Sequence, residues 1–109
     1  MANKRNNILD VAKEKINGER ADDYGDAYEN FERIAEGWNI ILRQVLHDKG
    51  YFDAKDVGLM MMWMKMARLM HKPTDDGFLD IAGYAALSAE CVDREGERTL
   101  SKILRSDTK

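Results

Sequence analysis

Lys65, Arg68 and His71, or Lys72 in its place, stand about three residues apart in the most apolar stretch of the chain. On a helix that spacing puts them along one face. Arginine offers a planar fork of donors and lysine a compact charge, and both match phosphate oxygens. Apolar flanks would lower the local dielectric and strengthen such contacts. The stripe reads either as a phosphate clamp or as the water-facing side of an apolar helix.

Acidic side chains form a second set. Glu29 and Glu32 are three apart, and Asp75, Asp76 and Asp80 follow the single proline, Pro73. Carboxylates that converge from two helices are how a helical bundle holds magnesium. The plainer reading gives Glu29 to a helix cap and lets Asp75 and Asp76 favour a helix N-terminus. A third group is Tyr24-Gly25-Asp26, where Gly25 suits an unusual backbone angle and Tyr24 would stack on a base or pack. His47 has a sufficient role at a helix C-terminus. No catalytic residue is assigned, because Ser88 and Ser101 lack a His–Asp setting.

Helices must position these groups. No strand-like alternation persists, and four helical segments follow from the 3.6-residue periodicity. The first runs from about Asn7 to Asn17 and stops at Gly18. The second follows Asp26, whose spacing to Glu29 is that of a capping box, and places Phe31, Ile34, Ala35, Trp38, Ile41, Leu42 and Val45 on one face. Gly50 ends it. The third starts near Asp53 and ends before Pro73. It holds six of the seven methionines and is apolar nearly all round, so it needs cover from several sides, by its own chain or by another subunit. The fourth runs from about Phe78 to Arg94, and beyond Gly96 a short docking helix with Leu100, Ile103 and Leu104 is expected before a frayed tail.

Composition narrows the partners. At 109 residues, 44% hydrophobic and 34% charged, the chain fits one globular domain over 1–109. A formal charge of −3 argues against a duplex-DNA binder. Cys91 is the single cysteine, which excludes an intrachain disulfide and a cysteine metal cage, and it is expected to act as a small buried hydrophobe. The polar, basic start carries no signal-peptide pattern. The longest apolar run, Val57 to Met64, is far short of the roughly 20 residues of a membrane span.

Several linked motifs carry a resemblance: Arg20-x-x-x-Tyr24-Gly25-Asp26-x-x-Glu29-Asn30-Phe31-x-x-Ile34-Ala35-x-x-Trp38, then Asp56-Val57-x-Leu59-Met60-Met61, Lys65-x-Ala67-Arg68, and Asp75-Asp76-x-x-x-Asp80-Ile81-Ala82-Gly83-Tyr84-Ala85-Ala86-Leu87. Over about 20–90 the chain resembles a family of small phage-encoded domains of unknown function, sometimes labelled phosphofructokinase-like. The length and helical pattern cannot supply a phosphofructokinase's α/β domains. A weaker resemblance is to the MazG-like all-α nucleoside triphosphate pyrophosphohydrolases, which pair Glu-x-x-Glu with Glu-x-x-Asp. Glu29-Asn30-Phe31-Glu32 matches the first element, whereas Asp76 and Asp80 are four apart and no glutamate accompanies them.

The expectation is an all-α, compact bundle of four main helices plus a short C-terminal helix, forming a homo-oligomer. The phage resemblance implies the cytoplasm of a bacterial host. The leading functional expectation is capture, without cofactor, of a phosphate-bearing nucleotide-type molecule, by analogy with phage sponges for host defence signals. Arg20, Tyr24, Lys65, Arg68, His71 and Tyr84 would bind it. Two alternatives stay open: a magnesium-dependent pyrophosphohydrolase with Glu29, Glu32, Asp76 and Asp80 as ligands, and a helical adaptor for a host protein. No membrane or duplex-DNA partner is expected.

Overall fold

The structure, a computed structural model, describes residues 3–18, 22 and 25–107. Within them it is all-α, with helices α1 (Lys4–Asn17), α2 (Ala27–Asp48), α3 (Ala54–His71) and α4 (Asp75–Asp107). Each boundary has a local cause. Asn3 accepts the Asn6 N–H at 2.8 Å and starts α1, and Asp26 accepts from Glu29 at the start of α2. Gly50, with φ +79°, lets its N–H reach the Val45 carbonyl at 2.9 Å and closes α2. At α3 the capping box is reciprocal: Asp53 Oδ1 accepts the Asp56 N–H at 3.1 Å and Asp56 Oδ2 accepts the Asp53 N–H at 3.0 Å.

The fourth helix differs from expectation at both ends. Thr74 Oγ1 accepts the Gly77 N–H at 3.1 Å, so the helix begins at Asp75, three residues early. It then runs 33 residues through Gly96 to Asp107, and the separate C-terminal helix is part of it. One glycine costs a helix only about 1 kcal/mol relative to alanine, and the neighbours Arg94, Glu95, Glu97 and Arg98 are good helix formers.

Helix α3 is the middle layer. It packs on α2 on one side and on α4 on the other, while α2 and α4 do not touch. Two tryptophans lace α2 to α3: Trp38 Nε1 donates to the Met60 carbonyl at 2.7 Å, and Trp63 Nε1 donates to the Arg33 carbonyl at 3.1 Å. Arg33 returns a bond to the Ala67 carbonyl at 3.3 Å. Gly37 makes the lacing possible, because a Cβ there would fall on the Trp63 indole. Against α4 the pairing is antiparallel: Leu69 meets Gly77, Lys65 meets Asp80, and Gly58 meets Ser88.

Little of this is sealed from solvent. Among the described residues only Ile34, Val45 and Ala67 are buried hydrophobics. The methionines at 60, 61, 62 and 64 are half-buried and Met70 is exposed, so they line layers rather than fill a closed core. Phe31 and Ala35, expected on the covered face of α2, are exposed, and Asn30 and Gly37 take that face instead. Among the described residues, helix α1 touches none of the other helices. The chain is less compact than expected: its radius of gyration is 19.0 Å, against roughly 13 Å for a compact domain of this length.

Candidate functional site

Where the last turns of α3 pass the first turns of α4, they enclose a basin of about 150 Å³ lined by Lys65, Arg68, Leu69, Lys72, Thr74, Asp76, Gly77 and Asp80. The sequence explains the shape. Positions 65 and 68 share one face of α3, Lys72 follows as its C-cap, and Asp76 and Asp80 are one face of α4. Gly77 lets the helices close, since a Cβ there would meet Leu69 Cδ2 at 2.5 Å. The positive end of the α4 dipole also lies at this end, where Asp75 and Asp76 already stand and Thr74 takes the Gly77 N–H.

Charge in the basin is mixed but leans positive, with three bases against two acids. Lys65 Nζ lies 2.9 Å from Asp80 Oδ2, the lysine side chain mostly buried and the aspartate half exposed. With Asp80 in contact with water, this pair contributes about 0.2–1 kcal/mol to stability. A phosphate group, carrying more charge than one carboxylate, can compete for the ammonium.

The structure sorts the residues expected to bind a ligand. Lys65 and Arg68 line the basin. His71 does not: its ring packs on Gly25, which has φ +71°, and Nε2 donates to the Asp22 carbonyl oxygen at 3.3 Å. Lys72 lines the basin in its place, from the C-cap position just beyond α3, where the backbone is already extended and turns toward α4. Tyr84 is half-buried one turn beyond Asp80, outside the basin lining. Arg20 and Tyr24 lie outside the described residues.

The four acids of the magnesium alternative are not gathered in one chain. Asp76 and Asp80 line the basin, whereas Glu29 and Glu32 are exposed on α2, on the far side of α3. Among the described residues no group of three or more His, Cys, Asp or Glu side chains is arranged to hold a metal ion. No described helix is long and apolar enough to cross a membrane.

A second ionic cluster, which sequence spacing did not single out, anchors the other end of α3. Asp56, buried, accepts from Lys49 Nζ at 2.6 Å and lies 3.2 Å from Lys55 Nζ. Burial pushes its carboxyl up, but the Asp53 N–H and the two ammonium groups outweigh that and hold it well below the usual range. Lys49 is held above its ordinary value chiefly by the Asp56 hydrogen bond. Every partner is internal to the cluster, which marks it as a structural clasp between the α2–α3 turn and α3. Cys91 is half-buried rather than buried, on the wall of a groove near the same end.

Comparison with known proteins agrees with the pattern of short linked motifs. Residues 7–92 match the model of a domain of unknown function, DUF6378. The Gene 55 protein of Mycobacterium phage L5 is 46% identical over 92 residues, covering 84% of this chain and 56% of that protein. The Gene 55 protein of Mycobacterium phage D29 is 37% identical over 91 residues, covering 80% and 52%. The chain thus spans about half the length of these relatives, and neither name carries a phosphofructokinase or MazG label. No solved structure matches. With 86 of its 109 residues under the family model, the chain belongs to the phage-encoded DUF6378 family.

Proposed function

We propose that this protein is a non-catalytic binder of a phosphate-bearing, nucleotide-type small molecule, acting as a homo-oligomer in the host cytoplasm. The observation that carries the reading is the convergence of Lys65, Arg68 and Lys72 on one small basin at the N-terminus of α4. Its 150 Å³ is below the roughly 300–1,000 Å³ of a whole-ligand pocket. The basin therefore takes the phosphate end, and the base and ribose lie outside it, against Tyr84 or a second subunit. In a phage protein such capture would remove a host nucleotide signal.

Homo-oligomerisation is supported by exposed surface. The chain exposes 8811 Å², against about 6,200 Å² for a compact monomer of 12.5 kDa. The test is a thermal-shift panel of mononucleotides, dinucleotides and cyclic nucleotides, with Arg68→Ala and Lys72→Ala as controls. A stabilising ligand whose effect is lost in both variants supports the reading; no shift with any nucleotide contradicts it.

The enzyme alternative keeps one favourable observation, that Asp76 and Asp80 share the basin with the phosphate-matching bases. Magnesium is commonly held by one or two carboxylates plus substrate phosphates. Glu29 and Glu32 would then have to come from another copy. Release of pyrophosphate that vanishes in Glu32→Gln would establish it. A helical adaptor is the remaining reading, and a defined host protein bound through α1 or α4 would replace nucleotide capture with it.

A further inference from the structure

We infer that α1 of one copy docks on the C-terminal half of α4 of a second copy, and that this exchange is the contact that assembles the oligomer. The inference rests on the homo-oligomer reading above and is independent of the ligand. Helix α3 begins at Ala54, opposite the middle of α4, so the remainder of α4 overhangs it. At the step between them lies an open groove of about 450 Å³ whose apolar wall is Cys91, Val92, Leu100 and Ile103. Val92, Leu100 and Ile103 are each at least half exposed.

The occupant is indicated by a helix with the matching defect. Ile8, Val11, Ala12 and Ile16 form one stripe of α1, yet among the described residues α1 touches no other helix, and Ile8 and Ile16 are 57% and 65% exposed. Fourteen residues of helix are about 21 Å long, enough to lie along Val92 to Ile103. Gly96 fits the same docking. It weakens the helix, no described residue outside its own helix backbone lies within 4 Å of where its Cβ would be, and it lies on the groove. A bare backbone there admits a close helix at the level of Ala12.

A second copy is favoured over the chain's own α1 by area. The excess exposed surface is roughly 2,600 Å² per chain, or about 5,200 Å² for a pair, at the upper end of what obligate interfaces bury in total. One amphipathic helix folding back would leave uncovered the other exposed side chains: Phe78, Leu79 and Leu87 on α4, and Tyr28, Phe31 and Ile40 on α2.

The native Cys91 makes the test direct. Ala12→Cys is treated with a short bis-maleimide at low protein concentration, beside Asp10→Cys, which places the thiol on the opposite face of α1. The expected product is a covalent dimer, joined between the introduced thiol of one copy and Cys91 of the other, in the first variant and not in the second. A cross-link within one chain, or equal products from both variants, overturns the inference. Native mass spectrometry of the wild type separates the two levels: an oligomer whose Ala12→Cys form gives no such covalent dimer overturns the α1 exchange alone, and a monomer overturns both. Ile8→Glu with Ile16→Glu is expected to convert the oligomer to monomer with helicity retained; an intact oligomer contradicts the exchange.

Discussion

Lys65 on α3 and Asp80 on α4 meet at 2.9 Å inside the basin, so one of the acids facing the bases already occupies one of them. A phosphate ligand must displace that carboxylate or bind beside it. Asp80→Asn removes the competitor and is predicted to tighten binding of a phosphate-bearing nucleotide by about three- to ten-fold, up to about 1.4 kcal/mol. Isothermal titration calorimetry at fixed ionic strength checks this. In the pyrophosphohydrolase alternative the same change removes a magnesium ligand and lowers turnover, so the sign of the effect separates the two readings.

Gly37→Ala puts a methyl group where the Trp63 indole lies, and the Trp63–Arg33 hydrogen bond must break to make room. The expected loss is about 1–3 kcal/mol, the usual cost of overpacking. Urea unfolding followed by tryptophan fluorescence reads it. An unchanged midpoint would mean that the tryptophan lacing does not hold α2 to α3.

Gly58→Ala meets the Ser88 side chain, which its bond to the Tyr84 carbonyl at 2.6 Å fixes in place. Destabilisation by about 1–3 kcal/mol is expected for the single variant. The double variant Gly58→Ala/Ser88→Gly should recover part of it, less the cost of a helical glycine. Additive losses in a double-mutant cycle would contradict the close approach of α3 and α4.

Asp56 sets the acid limit of the fold. Its carboxyl is held below its ordinary value in the folded protein, so the stability it contributes is present above about pH 4 and is lost as pH falls toward the folded value. Asp56→Asn takes the charged partner from Lys55 and one of two from Lys49, which keeps Asp53 at 3.1 Å, while the amide oxygen can still accept the Asp53 N–H. It should cost about 1–3 kcal/mol at neutral pH and flatten the pH dependence of the melting temperature below pH 5. Parallel melting curves for the wild type and the variant would contradict this.

The helices are legible where a boundary is made by residues close in sequence. Asp26, Asp53, Gly50 and Pro73 mark ends that the structure keeps. Thr74 escapes a reading of the sequence because Asp75, Asp76 and Gly77 after it look like a turn, although the threonine hydroxyl caps the helix they begin. The basin is half legible. Lys65 and Arg68 follow from helical spacing alone, but His71 and Lys72 both fit the third place, and what decides between them is that α3 ends at His71 and Lys72 leaves the helix as its C-cap. The acids cannot be placed by spacing, since Glu29 and Asp80 are separated by the thickness of α3. The isolation of α1 depends on what covers its apolar stripe, and that is not encoded in the stripe itself.

Whether the basin holds a phosphate-bearing small molecule is decided by native mass spectrometry of the protein taken directly from expressing bacterial cells, beside Arg68→Ala and Lys72→Ala of confirmed helicity. A retained mass that fragments to phosphate is expected in the wild type and is expected to be missing from both variants. A wild-type protein free of any such mass, or the same mass held equally by all three, would contradict nucleotide capture at this site.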